Sequence, residues 1–261
     1  MNFYWIYNLP IWLSFILVNL IFVLGAIGGI FLFKNFVKKS WKGHDNNDQI
    51  AFYLSAVGVF YGITLGLIAA GVWQNFNDAE EKVNQEASAC AAMYRDISSF
   101  PAHEATVLQF KLKKYVHYVI YKAWYLHKNG ISKTNGTALL TDFQNRLYSF
   151  EPQTKREEII FAEALSQFNK LTQLRRQRLQ AVNEGMNSVV WNVIVLGAVV
   201  TLLICSLFNI KSLKLHIIMN AIIGLVIGSL IHLIIMLDNP FRGGISITPE
   251  AFEQVYNDLM K

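Results

Sequence analysis

IAFYLSAVGVFYGITLGLIAAGVWQNFNDAEEKVNQEASACAAMYRDISSFP, residues 50–101, starts as chain that dissolves in lipid and finishes as chain that dissolves in water. No proline stands between the two halves. Residues 50–73 carry no charge, and about 20 apolar helical residues cross the roughly 30 Å of a bilayer's hydrocarbon. In lipid the backbone must satisfy its own hydrogen bonds, so the run is a helix. After Trp73 the chain turns to Ala, Glu and Gln, which lose little on entering a helix, and contains no glycine before Pro101. One rod is therefore expected, running from the membrane into water to about Ser99, where the proline ends it.

Three more runs are as free of charge: 10–33, 189–209 and 215–237. The first has no basic residue before it, and Phe33-Lys34-Asn35-Phe36 is no small-residue cleavage site, so it reads as a retained span rather than a signal peptide. The expected fold is an all-α membrane protein with four transmembrane helices. Spans two and three are expected to extend into a helical extramembrane domain. The divisions are 1–73, a transmembrane hairpin; 74–188, the helical domain; 189–237, a second hairpin; and 238–261, a tail with a short helix over 249–260.

Within 74–188, nine Lys and six Arg face three Asp and nine Glu, a net of +3. A helix is expected over 102–128, with Val107, Phe110, Leu112, Tyr115, Val116, Val119 and Trp124 as its apolar stripe and Asn129-Gly130 as its stop. Residues 131–136 read as a loop and 137–150 as a short helix. Another helix starts after Pro152, with Thr154 and Glu157 spaced as a capping box. Only Gly185 interrupts it before span three, so it is expected to feed directly into the membrane.

The short loops hold Lys34, Lys38, Lys39 and Lys42 on one hairpin and Lys211 and Lys214 on the other. The positive-inside rule puts those loops in the cytoplasm, and the domain and both termini on the non-cytoplasmic side. Trp12, Trp73 and Trp191 fall near span ends, where an indole anchors at the interface.

Small residues recur every fourth position in two spans: Gly58, Gly62 and Gly66 in the second, Gly224 and Gly228 in the fourth. Such stripes let helix backbones approach closely, and their matched depth predicts that spans two and four pack on each other. His232 continues the stripe of span four. It reads either as a neutral imidazole bonded between helices or as a pH-sensing group. Asp238-Asn239-Pro240 reads either as a helix stop or as part of a charged vestibule with Arg242. If the extensions of spans two and three run antiparallel, Glu86 and Arg95 come beside Arg175 and Arg178 as stalk ion pairs.

Cys90 and Cys205 lie in unlike surroundings, which argues against a disulfide or a metal pair. No catalytic motif, metal spacing or cofactor loop occurs, and no basic–aromatic interleaving that would bind nucleic acid. The chain reads as no enzyme, with no cofactor.

GVFYGITLGLIAAGVWQNFNDAEEKVNQEASACAAMYRDISSFP, RRQRLQAVNEGMNSVVW and LDNPFRGGISITPEAF together resemble the bestrophin-like domain family of bacterial membrane proteins. The most specific parts are Tyr61-Gly62, Glu86, Tyr94-Arg95, Pro101, Arg178-Leu179, Trp191, Asp238 and Pro240-Phe241. The resemblance implies a bacterial inner-membrane protein distantly like bestrophins, pentameric anion channels with an apolar neck on the second membrane helix. Carried over, it makes Phe60, Thr64 and Leu67, opposite the glycines, the pore-lining candidates, with an inorganic anion as the permeant species. It also implies a cytosolic helical domain, against the loop-lysine count. The chain lacks an acidic calcium clasp, since calcium needs six or more oxygens. Two functions follow: a homo-oligomeric channel set in membrane lipid, or a non-conducting scaffold or sensor whose helical domain binds a partner.

Overall fold

The computed structural model describes residues 5–41, 46–132 and 135–261; Lys42 and part of the 131–136 loop lie outside them. The described residues are helical almost throughout. The helices are α1 (Ile11–Trp41), α2 (Asn47–Ile97), α3 (Ala102–Tyr118), α4 (Trp124–Lys128), α5 (Gly136–Tyr148), α6 (Lys155–Ala181), α7 (Ser188–Ser206), α8 (Leu213–Asp238) and α9 (Glu250–Leu259). Four of them, α1, α2, α7 and α8, are long and apolar enough to cross a membrane. The chain divides into two compact units: a membrane unit (residues to Asn75, Gly185–Asp238 and Gly243–Ile245) and a helical unit (Phe76–Glu184, Asn239–Arg242 and Ser246–Lys261).

In the membrane unit α1 packs along α8 and more briefly against α7. A Cβ built on Gly224 would stand 2.9 Å from the Phe22 carbonyl oxygen, and one on Gly228 would meet Asn19. Both glycines therefore admit α1. On α2 the corresponding atoms at Gly58, Gly62 and Gly66 meet nothing within 4 Å. The expected pairing of spans two and four through glycine faces is thus corrected. Helix α2 instead sets Tyr61 on Gly197 of α7 and donates its hydroxyl to the Ile194 carbonyl at 2.9 Å. The aromatic ring needs the flat surface that a glycine leaves. Trp12 and Trp73 are exposed as interfacial anchors would be, but Trp191 is buried, a second correction.

In the helical unit the apolar face of α3 closes on α5, α6 and the second half of α2, with Leu108, Leu112, Tyr115, Phe143, Leu147 and Leu171 fully buried. Phe110, assigned to that stripe, is exposed. The rod over 102–128 is one path but not one helix: residues Val119–Ala123 form a π turn between α3 and α4. Gly130, with φ of +72°, then ends α4. Its N–H bonds the His127 carbonyl and that of Ile131 the Leu126 carbonyl, a Schellman stop. Thr154 caps α6, accepting from the Glu157 N–H at 3.2 Å, while Glu157 reaches back to the N–H of Gln153.

Helix α6 does not run on into α7. It ends at Ala181, and α7 starts afresh at Ser188, where the Asn187 side chain accepts from the Val189 N–H. The Met186 N–H in between bonds Asp238 Oδ1 at 2.6 Å. An Asx cap and a tethered backbone amide outcompete continuation of the helix there.

Candidate functional site

Two arrangements in the chain rise above packing. The first is the membrane half of α2. Tyr61, Leu65 and Val72 form its buried stripe. At about 100° per residue, Gly58, Gly62 and Gly66 lie to one side of that stripe and Phe60, Thr64 and Leu67 to the other. Phe60 is 75% and Leu67 70% exposed. Thr64 is half-buried and bonds its hydroxyl back to the Phe60 carbonyl at 2.8 Å, so it presents its methyl rather than its oxygen outward. Val59 and Ile63, which the sequence reading left out, are exposed on the face directly opposite the buried stripe. Their signal was their spacing from Tyr61 and Leu65, legible only once those two are known to face inward.

The second arrangement is a buried ion pair in the helical unit. Glu86 and Arg178 are 0% and 1% exposed. Arg178 Nε donates to Glu86 Oε2 at 2.7 Å and Nη2 to Oε1 at 3.1 Å, a two-pronged contact. Tyr115 adds a hydroxyl to Glu86 Oε1 at 2.7 Å. Arg178 Nη1 stands 3.1 Å from His127 Nδ1. A guanidinium only donates, so Nδ1 accepts and the ring proton sits on Nε2. That Nε2 is buried with no polar partner among the described residues, while the ring packs edge-on to Trp124 and Phe241. The guanidinium lies over the rings of Trp124 and Phe252 at 5.5 and 5.8 Å.

The charge pattern follows from this geometry. Burial, then the charges of Arg178 and Arg175, push the His127 pKa down to about 3, so the ring is neutral. Burial and the Glu86 carboxylate hold the Tyr115 hydroxyl well above its usual range, so it stays protonated and donates. Burial alone would lower the pKa of Arg178, but the charge and hydrogen bonds of Glu86 raise it overall, so it stays charged.

Of the four residues assigned to stalk ion pairs, the structure joins Glu86 and Arg178 only. Arg175 bonds Thr137 Oγ1 at 3.0 Å, and Arg95 is exposed without an ion pair among the described residues. The sequence reading missed Tyr115 and His127 as partners. Tyr115 was visible only as part of an apolar stripe, and the π turn that sets Trp124 and His127 inward has no sequence signature.

His232 lies between α1 and α8. Ser14 donates its hydroxyl to the Ile11 carbonyl and so accepts from His232 Nε2 at 3.0 Å. Phe15 packs edge-on to the imidazole at 5.3 Å. Asp238 accepts from the Met186 N–H and from the Trp191 side chain, which ties the end of α8 to the start of α7. Among the described residues, no three His, Cys, Asp or Glu side chains cluster as metal ligands.

The family model for the Bestrophin-like domain matches residues 20–252. This chain belongs to the bestrophin-like family. Solved structures agree in fold with this bestrophin-like chain. A point variant of a bacterial bestrophin homologue from Klebsiella pneumoniae aligns with a TM-score of 0.70 at 11% identity, covering 95% of this chain and 100% of that one. A second point variant gives 0.68 at 11% identity, covering 95% and 98%. The homologue solved by zinc phasing gives 0.68 at 11%, covering 94% and 97%. No curated protein matches the chain. At such identity the likeness is one of fold: an all-α bestrophin-like protein with four membrane helices.

Proposed function

We propose that the bestrophin-like chain is one subunit of a homo-oligomeric pore that conducts an inorganic anion, with α2 of each subunit forming a hydrophobic neck. The observation that carries this reading is the uncovered state of α2. Tyr61 of its buried stripe is spent on α7; a glycine flank and a bulky apolar flank of Phe60 and Leu67, with Ile63 on the face between them, are left exposed in the protomer. Lipid gains nothing special from a glycine face, whereas a neighbouring helix gains close van der Waals contact. An oily constriction is compatible with conduction, because such necks gate by dewetting. Exposed Phe110, Tyr121 and Tyr125 in the helical unit are further surface for neighbouring subunits. Five copies are the number that likeness to bestrophins supports, and membrane lipid surrounds the ring.

Anion flux from liposomes carrying the purified chain tests this. Wild-type protein should run at a multiple of 29.7 kDa and pass chloride. Ile63→Ser and Leu67→Ser should raise flux several-fold by wetting the neck. Absence of flux in wild type and in both variants, with assembly intact, would overturn the channel and leave the scaffold reading. Localisation in the bacterial inner membrane belongs to the same proposal. The loop lysines support cytoplasmic short loops and a non-cytoplasmic helical unit. Maleimide labelling of Lys39→Cys and Lys155→Cys in intact cells decides it: protection of the first and labelling of the second is the expected pattern.

A further inference from the structure

At the membrane end shared by the two short loops, a cavity of about 280 Å³ opens between α1 and the turn joining α7 to α8. Lys34 and Lys38 reach it from successive turns of α1, and Lys211 from the turn. Ser206, Asn209 and His216 supply the other polar groups, and among the described residues no carboxylate lines it. Among the described residues none of the three lysines makes an ion pair. His216 is buried and gives its Nε2 proton to the Cys205 carbonyl at 3.2 Å, so it holds the turn in place rather than competing for an anion. Asn47 fixes the turn from the other side, donating to the Asn209 carbonyl and accepting its N–H. The amines are therefore gathered around a pre-formed space.

Three ammonium groups around one cavity repel one another unless an anion sits between them. Helix α8 begins at this turn, and the partial positive charge of its first peptide groups adds to the field. The cavity has room for roughly nine waters at ~30 Å³ each, enough for a phosphate group. Its lining mixes the amines with apolar wall: Ile30 lies one turn deeper in α1 than Lys34, and Val37, Phe208, Ile210 and Leu213 stand beside the lysines. Amines set in an apolar wall suit a phospholipid, which presents a charged headgroup and an acyl chain together.

We propose that this cavity binds a phosphate-bearing anion, held by Lys34, Lys38 and Lys211. The chemistry is shared by an anionic lipid headgroup and by free phosphate, and the apolar part of the lining favours the lipid. Basic pockets between membrane helices take headgroups in this manner, at about 1 kcal/mol, or fivefold, per lysine. The proposal stands whether or not the protein conducts.

The test is native mass spectrometry of the full chain from nanodiscs of phosphatidylcholine with added phosphatidylglycerol, alongside thermal unfolding of delipidated protein in detergent with inorganic phosphate. Lys34→Gln/Lys38→Gln removes two charges from the cavity. Lys39→Gln/Lys214→Gln removes two at the same membrane end but outside its lining. Wild type should retain phosphatidylglycerol over phosphatidylcholine. The cavity pair should lose about twenty-five-fold in retention, two lysines at fivefold each, and the outer pair no more than about twofold. Protection by inorganic phosphate that the cavity pair alone abolishes, with no lipid retained, assigns the same site to free phosphate. Equal losses in both pairs mean a diffuse charged rim and overturn the proposal, as does wild-type protein with neither lipid preference nor phosphate protection.

Discussion

Glu86 and Arg178 are opposite charges sealed inside the helical unit, where the cost of dehydrating them is large. The pair survives because each charge is met: Glu86 by two guanidinium nitrogens and a phenol, Arg178 by carboxylate, imidazole and two aromatic faces. Removing one partner strands the other. Glu86→Gln should therefore lower stability by roughly 3–5 kcal/mol. Glu86→Leu/Arg178→Met should recover much of that loss, and a double-mutant cycle by thermal unfolding measures the coupling. His127 makes a separate prediction. Its folded pKa of about 3 lies below its ordinary 6.5, so the unfolded chain binds the extra proton between those values. Stability is then full above about pH 6.5 and falls as pH drops towards 3, with a slope set by one proton. His127→Asn keeps an acceptor for Arg178 and removes the titration. The slope of unfolding free energy against pH over that window should flatten by about one proton, and an unchanged slope would show that His127 is not the group responsible.

Helix contacts carry the same logic to the scale of elements. A glycine shows that something may come close, but not what. Gly224 and Gly62 have the same spacing partners in sequence, yet one meets the backbone of α1 and the other meets nothing. Gly224→Ala must push α1 away, since the atom in its path is the Phe22 carbonyl rather than a mobile side chain. Overpacking of this kind costs about 1–3 kcal/mol, whereas Gly62→Ala should leave unfolding of the protomer in detergent unchanged. The contrast marks the limit of what the chain alone discloses. Four spans, the long rod of α2 and the Thr154 cap were legible, because hydropathy, the lack of breakers and capping chemistry are local. The partner of α8 was not, because α1 offers Asn19, Phe22 and Val23 there and no small-residue stripe to match. Nor was the break before α7, where the Met186 N–H is held by Asp238, a residue 52 positions away. His232 was readable as polar in lipid. Its partner Ser14, 218 residues distant, was not.

At the scale of the whole molecule the exposed surface of α2 decides the assembly that the chain can build. Its glycine flank and its bulky flank lie on opposite sides of the buried stripe through which Tyr61 meets α7, so a ring of copies can pack one and expose the other to the axis. In the proposed ring Gly62 and Gly228 do different work, one between copies and one within a copy. A leucine at position 228 would collide with Asn19 and part α1 from α8; Gly228→Leu should cost the protomer its cooperative unfolding before assembly is reached. A leucine at position 62 meets open space in the protomer and, in the proposed ring, a neighbouring helix. Gly62→Leu should keep wild-type helicity and unfolding of the single chain, yet shift the particle to smaller mass by light scattering and abolish flux. If Gly62→Leu instead assembles and conducts like wild type, the glycine flank of α2 faces lipid, and the ring must be held by the helical units, through surfaces such as Phe110, Tyr121 and Tyr125.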